Sequence, residues 1–165
     1  MVLGIIFCCV YWTGRPFRTN SSFVRRSDSK QIRSQSKIVN IFRSGTWSSQ
    51  YYQYKTWHGP NQISLSFDPL SMKVTGSGSD DVGAFTIDGI YSVTTNRLGL
   101  TKTYQAGTGN PAENLGHDVI IQLTWNEQNN QFEGKWFVKT KKYSGDGKFK
   151  LKFNENHFSN AYEKV

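Results

Sequence analysis

Between residues 46 and 153 apolar and polar side chains alternate in eight short runs, separated by residues that favour turns. A period of two puts successive side chains on opposite faces of an extended strand. It therefore specifies half-buried β-structure and excludes helix over this region. The clearest run is 62–68, where Ile63, Leu65 and Phe67 alternate with Ser64 and Ser66. Further runs fall at 46–55, 72–76, 82–94, 97–105, 117–126 and 131–139, and the last sets Phe149, Leu151 and Phe153 between Lys148, Lys150 and Lys152. Within 97–105, Leu98, Leu100 and Tyr104 share a face that Lys102 interrupts.

The separators are short. His58-Gly59-Pro60, Asp68-Pro69, the stretch 76–81, Asn96, Asn129-Asn130 and the stretch 144–147 all read as tight turns. Only 106–116, with its Gly, Asn and Pro, reads as a long loop. Eight strands joined by hairpins fit an antiparallel up-and-down meander that closes on itself, since closure removes both exposed edges. The expected fold is thus an all-β, eight-stranded barrel over residues 38–153, and a two-sheet β-sandwich is the alternative. At eight strands the interior holds packed side chains or one small ligand. Aromatic residues are 15% of the chain, which lets a modest number of large rings build such a core. Ile38, Val39, Ile41 and Phe42 form an apolar patch ahead of the first strand, suited to one turn of helix or to a plug.

Residues 1–37 differ in kind. They hold seven basic residues against one acid, which places +6 of the chain's +8 charge there and leaves the folded part near neutral. A basic nucleic-acid face on the domain is therefore not expected, and non-specific contact through this tail is the one such role the charge supports. Residues 18–37 are Ser-, Arg-, Gln- and Asn-rich and read as a solvated linker, while 154–165 form a short C-terminal tail. Asn20-Ser21-Ser22 is a glycosylation sequon, and Arg25-Arg26-Ser27 a basic phosphorylation pattern. The apolar start, residues 1–12, is shorter than the roughly 20 residues a spanning helix needs. Residues 1–18 are a candidate for membrane association, with Cys8 and Cys9 as acylation sites and the arginines against anionic lipid. A cytoplasmic or membrane-associated protein is expected ahead of a secreted one, which would need residues 1–14 to act as a signal. Adjacent Cys8-Cys9 with no other cysteine implies a domain folded without disulfides.

Gly45-Thr46-Trp47, opening the first run, resembles the Gly-x-Trp signature of the lipocalin, fatty-acid-binding and avidin group of barrels. The resemblance implies a calycin-type barrel in which Trp47 packs at the closed end under a basic side chain of the last strand, here Lys150 or Lys152. Residues 119–125 and 131–136 look like the tryptophan-bearing hairpin of avidin-type barrels, so Trp125 and Trp136 are expected to face one another. The ligand-binding set of avidin does not map onto this chain, and biotin binding is not implied.

No catalytic or metal-binding constellation is legible, and no cofactor is expected. His58, His117 and His157 are dispersed and read as solvent-facing. Asp80-Asp81 lacks the spacing and terminal Glu of a calcium loop and reads as a polar turn. The aromatics are the most suggestive set. Trp47, Tyr51, Phe85, Tyr91, Leu123, Trp125 and Trp136 are candidates to line an interior cavity. Tyr52 and Tyr54, on the opposite face from Trp47, and Trp57, clustered with them before the expected turn, are candidates for an exposed contact surface. The expected function is non-enzymatic binding of a small hydrophobic or amphipathic ligand inside the barrel. A protein-interaction module using the exposed rings is one alternative. A small-barrel enzyme, cyclase- or isomerase-like, with tyrosine, Asp88, Glu113 or His117 as acid–base groups, is another.

Overall fold

A computed structural model describes residues 18–26 and 41–155. Eight strands, β1 (Gly45–Gln53), β2 (Thr56–Asp68), β3 (Lys73–Ser79), β4 (Ala84–Ser92), β5 (Arg97–Tyr104), β6 (Asp118–Asn126), β7 (Gln131–Lys139) and β8 (Ser144–Phe153), follow one another around a closed antiparallel barrel. Each strand pairs with its chain neighbours, and β8 returns to β1 through Trp47 opposite Phe153 and Tyr51 opposite Phe149. The fold is the closed up-and-down barrel, not the sandwich.

Alternation sets the interior. Trp47, Leu98, Ile121, Leu123, Phe132 and Leu151 are wholly buried. One end of the barrel is filled with rings. Phe42 enters it as a plug, 4.5 Å from Tyr91, 5.4 Å from Phe132 and 5.7 Å from Phe67 between ring centroids. Each buried ring of this kind contributes about 1.5–3 kcal/mol through water exclusion. Trp47 sits in the same layer, its indole N–H donating to the Arg43 carbonyl at 3.0 Å and Phe153 edge-on at 5.1 Å.

Several turns lie elsewhere than expected. The first hairpin is Tyr54-Lys55, both with φ near +50 to +65°, a two-residue turn built without Gly, Asn or Asp. His58-Gly59-Pro60 therefore lies inside β2, not in a turn. Only Gln50 stands opposite Gly59 and Pro60, so β2 bulges there by one residue. Gly76 and Gly78 belong to β3, and the turn is confined to 80–83. A Cβ on Gly76 would meet the Ser64 carbonyl and, at 2.7 Å, Leu65, and one on Gly78 the Gln62 carbonyl at 2.8 Å and Phe85 at 2.9 Å, so these glycines admit both the β2 backbone and core side chains. The last turn is 140–143 and Ser144 to Gly147 are already in β8.

The linker reading of 18–37 also needs correction at one end. Asn20–Arg25 forms a short helix, α1, N-capped by the Thr19 side chain and laid across the outside of β5. Val24 is buried, and the barrel supplies its anchors. Arg97 donates to the carbonyls of Phe23 and Arg26 at 3.0 and 2.9 Å, Thr95 to that of Val24 at 2.5 Å and Gln122 to that of Arg18 at 2.8 Å. Gly99 admits this approach, because a Cβ there would lie 2.9 Å from Asn20. Asn20 itself accepts from Gln122 at 3.1 Å against the barrel wall, which is no position for a glycan. Residues 1–17, with the membrane-association and signal readings, lie outside the described residues, as do Ser27 and most of 154–165.

Replacing Arg97 with Ala strands two carbonyls that a charged donor now satisfies. We expect the free energy of unfolding in urea to fall by about 2–4 kcal/mol with the barrel's circular dichroism intact. A change below about 0.5 kcal/mol, the range of an ordinary surface substitution, would show that α1 contributes nothing to stability.

Candidate functional site

The end of the barrel opposite the ring plug is built differently. Here β5 brings Lys102 to the inside, where alternation demands an apolar residue, and only 4% of it is exposed. A lone buried ammonium is prohibitively costly, so it must be paired. The partner is Asp80, from the turn between β3 and β4. Lys102 Nζ donates to Asp80 Oδ2 and to the Tyr104 hydroxyl at 2.7 Å, and that hydroxyl donates to Asp80 Oδ2 at 2.9 Å. Asp80 Oδ1 accepts the N–H groups of Val82 and Gly83 at 3.0 and 3.3 Å, which fixes the turn and aims the carboxylate inward. The ammonium also lies 4.0 Å from the Phe85 ring centroid and 4.4 Å from that of Tyr104. Burial pulls Lys102 below the ordinary lysine range, against Asp80 and Asp81, which support its charge. Burial and the nearby Asp80 carboxylate push the Tyr104 phenol far up, so it stays protonated.

A second polar chain starts from the bulge. Without the extra residue of Gly59-Pro60, His58 would fall on the outer face. The bulge reverses the phase, pairs His58 with Tyr51, and stacks the two rings 4.6 Å apart and 9° from parallel. Tyr51 donates to Asp81 Oδ1, and His58 Nδ1 lies 2.6 Å from Asp81 Oδ2. Partial burial opposes ionisation of Asp81, but the bonds from Tyr51 and His58 outweigh it and hold the carboxyl below its usual value. Burial, with the hydrogen bond to Asp81, drives the Tyr51 phenol up.

Of these groups, Lys102, Tyr104 and Tyr51 border an open cavity of about 280 Å³. Val119, Ile121, Val138 and Phe149 form an apolar wall, faced by Tyr51, Lys102, Tyr104 and His117. Gln53, Tyr54, Glu113, Lys142 and Tyr143 stand among the residues at the mouth. The 106–116 loop is pinned over this end. Asn114, 7% exposed, donates to the carbonyls of Gln105 and Thr108 at 2.8 and 2.7 Å, and Asn110 N–H reaches Val82 at 2.9 Å. His117 packs 5.1 Å from Tyr104, and burial together with the Lys102 charge lowers its pKa.

Of the expected cavity residues, Tyr51 and Trp136 border the cavity. Trp47 and Tyr91 belong to the ring-filled end, Leu123 to the packed middle, and Phe85 lies beneath Lys102. Trp125 pairs with Phe132 and Trp136 with Ile121, so the two tryptophans do not face one another. Tyr52 and Trp57 meet edge-on at 5.5 Å on the outer wall, whereas Tyr54, 66% exposed, stands at the cavity mouth. Neither Lys150 nor Lys152 covers Trp47. Lys150 lies 4.5 Å over Trp57 and Lys152 is exposed, because even-numbered residues of β8 face outward. Asp88 is likewise exposed and away from the cavity, while Glu113 and His117 reach it. His58 and His117 are half-buried, not solvent-facing, and His157 lies outside the described residues. Sequence reasoning missed the buried Asp80 carboxylate and the half-buried His58 with its exposed partner Asp81. The one signal was Lys102, a charge in an apolar phase that requires a buried counter-charge.

Comparison with protein-family models, with curated proteins and with solved structures finds no match.

Two outcomes follow from this arrangement. Asp80→Asn leaves the Lys102 ammonium buried without its counter-ion, and unfolding in urea should register a loss of about 3–5 kcal/mol. Adding Lys102→Met should restore a large part of it, and additive losses would contradict the pairing. His117, held below its ordinary 6.5, is protonated first in the unfolded chain. Its contribution is complete above that value and declines as the pH falls through the depressed folded value. Asp81 acts in the same direction below its ordinary 3.8. His117→Gln should therefore flatten the stability profile just below pH 6.5, and an unchanged slope would rule this out.

Proposed function

We propose that the open end of the barrel binds one small amphipathic molecule, as a non-enzymatic carrier or sensor domain. The observation that carries this reading is the cavity of about 280 Å³ with its two unlike walls. Its size is at the lower end of small-molecule pockets, so the ligand is small. Val119, Ile121, Val138 and Phe149 offer its body an apolar surface, and Lys102, Tyr104, Tyr51 and His117 offer its polar end hydrogen-bonding groups. The ring plug closes the far end of the barrel. Asp80 already matches the Lys102 charge and Asp81 adds to it, which favours a neutral polar group over a carboxylate or phosphate at this amine. The same reading includes kinship with the lipocalin and avidin kind of barrel, supported by Gly45-Thr46-Trp47 and the closed eight-strand meander.

A second reading, catalysis in the same cavity, is favoured by one observation: the buried Asp80, Lys102 and Tyr104 converge with half-buried His117 from the 80–83 turn, β5 and the loop before β6.

The binding reading is tested with N-phenyl-1-naphthylamine, an uncharged amphipathic fluorophore. The full chain should bind about one equivalent with blue-shifted emission. Val138→Phe, which places a ring in the cavity at a folding cost of about 1–3 kcal/mol, should weaken binding at least tenfold, about 1.4 kcal/mol, while circular dichroism is unchanged. Equal affinity in the two proteins would exclude the cavity as the site.

A further inference from the structure

We propose that Lys102 is a covalent anchor for a ligand carrying an aldehyde, joined to its amine as an imine inside the barrel. This rests on the cavity being a ligand site and names the ligand's chemical class.

Four observations carry it. Lys102 borders the cavity, and among the described residues it is the one buried lysine. Lys142, at the mouth, is exposed. Two of its three ammonium N–H groups go to Asp80 and Tyr104, both of which can take part in moving a proton. Val119, paired with Lys102 on the neighbouring strand, continues through Ile121 and Val138 as an apolar surface that would hold a hydrocarbon body with its carbonyl toward Nζ. Asp80 already matches the Lys102 charge, which disfavours an anionic ligand at this amine and leaves a neutral carbonyl as a polar group it can engage.

The step balances without any oxidant or reductant. Asp80 accepts one ammonium proton, and the neutral amine adds its lone pair to the carbonyl carbon, forming a C–N bond. Asp80 returns the proton to the carbinolamine oxygen, directly or by way of the Tyr104 hydroxyl, and amine nitrogen supplies the second proton of the departing water. The C–O bond breaks as water leaves, and a protonated imine remains beside the Asp80 carboxylate. One cation and one anion occupy the site before and after, so the buried pair is never left unbalanced. A desolvated amine next to a proton acceptor is the arrangement that nucleophilic lysine chemistry requires.

The full chain is incubated with one equivalent of trans-cinnamaldehyde and sodium cyanoborohydride, then read by intact mass and peptide mapping. The expected result is a single reduced adduct on Lys102, formed at least tenfold faster than at any exposed lysine. An excess of N-phenyl-1-naphthylamine should suppress it in the unaltered protein, so the result does not depend on a variant that folds. Asp80→Asn, with its fold checked by circular dichroism, should slow the trapping at least tenfold. Cinnamyl alcohol, which cannot form an imine, separates the two readings by displacement of the fluorophore. Displacement without any Lys102 adduct overturns the anchor and spares the cavity. Failure of both displacement and adduct overturns both, and adducts spread over exposed lysines with Lys102 unmodified overturn the anchor.

Discussion

The pairing of β8 with β1 is the constraint on which the rest of this molecule depends. Trp47 through Tyr51 meet Phe153 through Phe149 in register, and with that ladder closed no strand edge is left open. Closure also makes inside and outside unequal. Every odd-numbered residue of β8 from Phe149 faces a core shared with seven other strands, and every even-numbered one faces water or the outer wall. If this seam were opened, the ring layer around Trp47 and the cavity above it would both lose their walls.

The two ends of the barrel divide the work. At one, Phe42, Trp47, Phe67, Tyr91, Phe132 and Phe153 fill the interior, so stability does not rely on the other end being packed. At the other, three turns and the 106–116 loop contribute charge and hydrogen-bonding groups around an open volume. Buried polar groups bring little net stability and are costly when unpaired. They concentrate at the open end, where Lys102 is matched to Asp80 and Tyr104, and Tyr51 and His58 to Asp81.

Two small irregularities make that end polar. The one-residue bulge at Gly59-Pro60 turns His58 inward to Tyr51 and Asp81. The Asp80 side chain, holding the N–H groups of Val82 and Gly83, turns its other oxygen to Lys102. A regular β2 would send His58 to the surface. A turn at 80–83 without the inward carboxylate would leave Lys102 without its counter-ion.

Alternation along the chain determined the strand class, the number of strands and most inward residues, because a pleated strand has a side-chain period of two whatever its neighbours are. The apolar patch of Ile41 and Phe42 was legible, but not whether it formed a turn of helix or a plug; the closed ring layer decided that. Where a rule depends on partners, the sequence was silent. The Tyr54-Lys55 turn carries no turn-forming residue, and α1 is held by Arg97, Thr95 and Gln122, more than seventy positions away. Lys102 announced itself as a misplaced charge, but nothing local names Asp80, twenty-two residues earlier, as its partner. Only the closed sheet, by bringing the 80–83 turn over the end of β5, decided that pairing, since the attraction of two buried charges falls off with distance in space and takes no account of separation along the chain.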